Sequence, residues 1–171
     1  MRELTFEGRT WKFGHNVPTD AITPTHIMFK TAKEMAAFVL ETLNPEFPRG
    51  VRAGDILVAG RNFGCSSGRA LAAKALKATG VGAVVAEQFA RTFYRNGYEI
   101  GLPLLEVPGI HTLVEDGERL RVDIVTGTVT CLNSGKVLEG QAPPRFLLDM
   151  LEAGGIISLV RSGGFFKGLS T

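Results

Sequence analysis

In GRNFGCSSGRALAAKALKATG, residues 60–80, three glycines, Cys65, Ser66, Ser67 and Arg69 fall within ten residues before the composition turns to alanine and leucine. Such residues can build a nucleotide loop, a nucleophile, a metal site or a tight turn. The nucleotide loops fail on spacing. A P-loop needs Lys then Ser or Thr after its second glycine, and a dinucleotide turn needs G-x-G-x-x-G, whereas Gly60, Gly64 and Gly68 stand four apart. A strand, a glycine loop and a helix in succession place the serines at a helix N-terminus. With a helix beginning near Ser67, free N–H groups and the positive end of the helix dipole face the loop, and Arg69 adds a cation in the first turn. That pocket suits an anion, and Arg69 can grip a carboxylate with two prongs. It also lies beyond the carboxyl end of a strand, where open α/β sheets hold their ligands. A plain alternative fits the same residues, with Ser66 or Ser67 capping the helix and Arg69 solvated. The residues alone leave both readings open.

A free serine hydroxyl is far too weak an acid to serve as a base, yet backbone N–H donors and a nearby cation stabilise its alkoxide. Cys65, near a helix N-terminus, would gain thiolate character, but no histidine stands close in sequence, and a small buried cysteine is the simpler expectation. A second polar element, NVPTDAITPTH, carries Asp20 in a proline-bounded loop; turn chemistry explains it equally well. Cys65 and Cys131 lie far apart, and His15, His26 and His111 are isolated in the sequence, so this chain offers no metal-ligand spacing of its own. Any metal the chemistry needs is expected on another chain.

The elements that position these residues follow from hydrophobic period. At 171 residues, with 44% hydrophobic and 21% charged residues, the chain has the composition of one ordinary globular domain, residues 1–171. A net charge of +2 with scattered basic residues argues against nucleic acid. No apolar run approaches membrane-spanning length and MRELTFEGRTWKFGHN contains no apolar h-region, which makes the cytoplasm the expected location. TWKFG reads as a short strand, and the loop HNVPTDAITPTH, with its prolines, as irregular. KTAKEMAAFVLETL reads as one amphipathic helix with Met35, Phe38, Val39 and Leu43 on a face, Thr31 as N-cap and Glu34 closing a capping box. From Val51 to about Val107, DILVAG, ALAAKALKATG, VGAVVAE, EQFARTFYRNG and LPLLEV alternate strand and helix, the signature of parallel β-α-β units in an α/β fold. ERLRVDIVTGTVTCLN suggests an antiparallel hairpin, PPRFLLDMLEAGG a closing helix, and residues 162–171 a loose tail.

Three segments in order over about ninety residues, GHNVPTDAITP, NFGCSSGRA and QFARTFYRNGYEIGLP, resemble the motifs G-D-N-I-D-T-D-x-I-x-P, N-F-G-C-G-S-S-R-E and S-F-A-R-I-F-Y-R-N…G-L-P of isopropylmalate isomerase small subunits. More broadly, the chain resembles the swivelling β/β/α C-terminal domain of the aconitase superfamily. The resemblance implies a hydro-lyase subunit, active only with a large subunit that carries a [4Fe-4S] cluster, acting on a small dicarboxylate in leucine biosynthesis; this chain itself would bind no cluster. It places the catalytic base on Ser67 and substrate contacts on Arg69, Ser66, Thr19 and Asp20. The chain also departs from the family. Gly68 stands where a second loop serine is usual, Ala70 and Leu71 replace Glu-His, and Pro24-Thr25-His26-Ile27-Met28 replaces P-A-R-Y-L. His26 or Lys30 would then have to supply the missing cation. Two further readings stay open: a paralogue for a homoaconitate, methylmalate or dimethylmalate type of substrate, and a non-catalytic anion-binding module that forms a homo-oligomer when isolated.

Overall fold

The computed structural model describes residues 3–163. Among them seven strands form one sheet: β1 Thr5–Lys12, β2 Ile56–Ala59, β3 Ala83–Ala86, β4 Leu104–Glu106, β5 Arg119–Asp123, β6 Thr128–Cys131 and β7 Val137–Glu139. Their spatial order is β4-β3-β2-β1-β5-β6-β7. β1 to β4 run parallel, and β5 to β7 continue the sheet antiparallel from the other edge of β1. The helices are α1 Thr19–Ile22, α2 Ala32–Met35, α3 Glu46–Gly50, α4 Ala70–Ala78, α5 Arg91–Glu99, α6 Ile110–Leu113, α7 Arg145–Ala153 and α8 Ile156–Arg161.

The expected α/β class, with β2-α4-β3 and β3-α5-β4 crossovers and a β5–β6 hairpin, is what the chain adopts. Every residue of β2 and β3 is buried, as befits parallel strands covered on both faces, whereas β5 and β6 alternate buried and accessible positions. α7 ends on Gly154 in the left-handed region, the C-cap that its AGG sequence predicts.

Several expectations need correction. The strand read at TWKFG begins five residues earlier, at Thr5, because Glu7, Gly8 and Arg9 interrupt its apolar pattern. The helix expected over KTAKEMAAFVLETL stops at Met35 and gives way to a 3₁₀ turn, Ala36–Phe38. Its capping box is present, with the Glu34 N–H donating to Thr31 Oγ1 and the Thr31 N–H to Glu34 Oε2. Beyond it, Leu40 takes a left-handed φ of 57° and its N–H donates to the Ile22 carbonyl, so Val39 and Leu40 are fully buried while Leu43 stays half exposed. Tertiary burial outweighs helix continuation there. The proline-bounded loop is not wholly irregular: Pro18 and Pro24 are the N-caps of α1 and of a 3₁₀ turn, Thr25–Ile27, places where a missing N–H costs nothing. β7, α3, α6 and α8 are additions to the sequence reading. Of the expected tail, Ser162 and Gly163 follow α8, and the rest lies outside the described residues.

Candidate functional site

The carboxyl ends of β1 and β2 feed two loops that run side by side. The Gly60 N–H donates to Gly14 O, Asn16 N–H to Arg61 O at 2.8 Å, Gly64 N–H to Val17 O at 2.8 Å and Thr19 N–H to Cys65 O at 2.9 Å. One rung uses a side chain, the Arg61 N–H donating to His15 Nδ1 at 2.8 Å. On the far side, the Phe63 N–H donates to Gln88 O and the Ala90 N–H to Phe63 O, while the Phe63 ring packs edge-on against Phe89 and Phe93. Gly64 has φ 82°, and a Cβ there would run into the Phe93 ring, so only glycine serves at this turn. Ser66 also adopts a left-handed φ, 83°, unusual for a residue with a Cβ.

These loops bring Thr19, Asp20, Ser67 and Arg69 to one cleft, together with Thr23, Thr25, Met28, Leu71 and Ala72. Sequence reading had placed the helix start near Ser67. Instead Arg69 is the N-cap of α4, with extended backbone and no side-chain cap bond, and the helix begins at Ala70. The Ser67 Oγ accepts a hydrogen bond from the Arg69 N–H at 3.3 Å. Ser67 therefore belongs to a local turn and is no helix cap. The open end of α4 and the exposed guanidinium of Arg69, which has no ion-pair or hydrogen-bond partner among the described residues, give this wall positive character. Asp20 stands opposite, exposed, in the first turn of α1.

Thr19 and Thr23 are at least nine-tenths buried, and their Oγ1 atoms have no hydrogen-bond partner. An unpaired buried hydroxyl costs about 1–3 kcal/mol, so this wall is not optimised for stability alone. Ser66, His26 and Lys30 are exposed and do not line the cleft. The His26 ring lies edge-on to Phe38, and Thr25 and Met28 take the wall positions expected of it. Nothing in the spacing distinguishes Thr25 from His26; the 3₁₀ turn decides which side chain faces inward. A Cβ at Gly68 would meet Thr92 at an ordinary 3.5 Å, so backbone geometry does not demand glycine there.

The isolation of the histidines in the sequence does not persist in space, because the His15 and His111 rings lie 4.6 Å apart. Partial burial, reinforced by Lys12 and His15, holds the His111 pKa below its ordinary value, against opposing pulls from Glu87 and Glu115. Among the described residues no group of three His, Cys, Asp or Glu side chains could hold a metal ion, and no helix is long and apolar enough to cross a membrane. Cys65 is partly exposed and Cys131 buried, with burial raising the pKa of the Cys131 thiol.

The enclosed space of the cleft, about 20 Å³, admits roughly one water. The cleft thus has one cationic wall, a hydroxyl beside it and no depth of its own. The profile of the aconitase C-terminal domain family matches residues 25–108. The isopropylmalate/citramalate isomerase small subunit of Methanocaldococcus jannaschii is 46% identical over 94% of this chain and 96% of its own length. The 2,3-dimethylmalate dehydratase small subunit of Eubacterium barkeri is 40% identical over 91% of this chain and 96% of its own. The crystal structure of 3-isopropylmalate dehydratase (LeuD) from M. jannaschii superposes with a TM-score of 0.89 at 32% identity, covering 98% of this chain and 99% of that one. This chain is thus built as an aconitase C-terminal-type domain. Within that class it belongs to the family of 3-isopropylmalate dehydratase small subunits.

Proposed function

We propose that this chain is the small subunit of a heteromeric hydro-lyase that interconverts 2-isopropylmalate and 3-isopropylmalate by dehydration and rehydration. The observation that carries the proposal is the gathering of Ser67, Arg69 and Asp20 around a cleft too shallow to enclose a dicarboxylate by itself. A large subunit then closes the cleft and holds the [4Fe-4S] cluster, which supplies a Lewis acid for the departing hydroxyl when bound. The cytoplasm is the proposed location.

Within this chain, the Arg69 guanidinium takes one substrate carboxylate as a fork. Ser67 Oγ removes the proton from the carbon next to that carboxylate; the C–H electron pair becomes the C=C bond as the C–O bond breaks on the neighbouring carbon. The proton stays on Ser67 and returns during rehydration at the other carbon. Negative charge on Ser67 Oγ is stabilised by the Arg69 N–H that already donates to it and by the open end of α4. Asp20 and the Thr19 segment close the opposite wall.

A second reading, a dehydratase for a smaller alkylmalate, draws support from Thr23, Thr25 and Met28 lining the wall while His26 and Lys30 stay outside it. One experiment separates the readings. The chain is co-produced anaerobically with a cluster-bearing large subunit, and isopropylmalate, citramalate, homoaconitate and 2,3-dimethylmalate are followed by enoate absorbance. Turnover on 3-isopropylmalate above all others supports the proposal, and preference for another acid moves the substrate. A chain that never pairs and only self-associates would leave an anion-binding module.

A further inference from the structure

The segment carrying Ser67 is sparsely tethered. From Ser66 to Gly68 no backbone group bonds to another backbone group among the described residues. The bond from the Arg69 N–H to Ser67 Oγ is internal to the turn. Among the described residues, the one hydrogen bond that reaches this segment from elsewhere is made by Asn96 of α5, whose Nδ2 donates to the Gly68 carbonyl at 2.9 Å. α5 contributes no side chain to the cleft, so Asn96 acts from behind the loop.

Asn96 is only 6% exposed. It shares the buried side of α5 with Phe93, Gly97 and Tyr98, where an amide is a poor choice for packing and a mediocre one for helix propensity. The bond it makes accounts for an amide at this position. Ser66 supplies the second indication: its left-handed φ persists only if the chain is fixed on both sides. On the upstream side the Cys65 carbonyl is held by the Thr19 N–H, and on the downstream side the Gly68 carbonyl is held by Asn96.

We infer that Asn96 is a positioning residue for Ser67 and Arg69, pinning the Gly68 carbonyl and so setting the Gly68–Arg69 peptide plane, whose N–H donates to the Ser67 hydroxyl and from which the Arg69 side chain departs into the cleft. The inference rests on the proposed role of that cleft and adds the device that keeps it in register.

The test uses Asn96→Asp, which is nearly isosteric but has no donor when ionised, and Asn96→Ala, each paired with the large subunit. Misplacing a reacting group by about an ångström costs on the order of 100-fold, so kcat falls roughly 10- to 100-fold while KM rises by no more than the roughly tenfold expected of Arg69→Lys. In the isolated chain, exchange of the Arg69 amide, whose N–H donates to Ser67 Oγ, quickens by about tenfold or more while β2 and β3 keep their protection. Unchanged kcat, or faster exchange spread evenly through β2 and β3, overturns the inference and leaves Asn96 a packing residue. If one variant fails to fold, the other decides by the same two readouts. If the wild-type complex turns over none of the acids, the functional reading fails instead, and the exchange measurement alone decides whether Asn96 holds the loop.

Discussion

The two halves of the sheet divide the work. In the parallel half, β2 and β3 are buried on both faces, and their carboxyl ends release the loops that bring Ser67, Arg69 and Asp20 together. In the antiparallel half, β5 to β7 alternate in burial, turn back through short loops and contribute nothing to the cleft. The difference follows from connectivity. A parallel crossover must leave the sheet, enter a helix and return, and the exit is where backbone N–H groups and a helix dipole remain unspent; a hairpin satisfies its own ends.

That division can be broken by substitution. Ser67→Ala should lower kcat of the paired enzyme by about 10²- to 10⁴-fold, the worth of a general base, with no change in thermal midpoint; steady-state kinetics beside a melting curve tests it, and retained turnover removes Ser67 from the chemistry. Leu120→Ala, at a fully buried position of β5, should do the reverse, costing about 2–5 kcal/mol in urea unfolding while the folded fraction keeps its kcat. A fall in kcat there would show that the antiparallel half does more than support. Arg69→Lys should raise KM about tenfold, since a point charge replaces a fork worth roughly 1.5–3 kcal/mol per charged hydrogen bond; an unaltered KM would place the carboxylate elsewhere. The smallest effect lies where His111 of α6 meets His15 in the loop after β1. Because burial depresses the His111 pKa, the unfolded chain binds a proton that the folded chain refuses, and stability declines as pH falls below about 6.5. His111→Gln should flatten that decline in unfolding measured from about pH 7 to 5, and an identical slope would show that His111 contributes nothing to it.

Much of the parallel half was legible because local signals agreed with the fold. The run ILVA between Asp55 and Gly60 reads as a short strand buried on both faces, and ALAAKALKA with Gly80 close behind it as a helix with a glycine stop, and both form. Ser67, Arg69, Thr19 and Asp20 could be grouped from the motifs alone. The rest depends on partners distant in the chain. The Arg61 N–H reaches His15 across 46 residues, and Asn96 reaches Gly68 across 28. Neither pairing leaves a mark in hydrophobic period. The break after Met35 has no local signal for the same reason, since the Ile22 carbonyl that receives the Leu40 N–H belongs to another segment. Charge points to His26 and Lys30, but the turn at Thr25–Ile27 brings Thr25 and Met28 to the wall in their place.

β1 is parallel to β2 on one side and antiparallel to β5 on the other, with Thr5 opposite Asp123. On a translating ribosome this makes the first strand wait. It can pair with β2 once residue 59 has emerged, but its second edge stays open until β5 follows about sixty residues later, roughly 3–12 s at ordinary elongation rates. For that interval the nascent chain presents an unpaired strand edge, with Glu7 and Arg9 along it as the charges that discourage a neighbouring chain from pairing first.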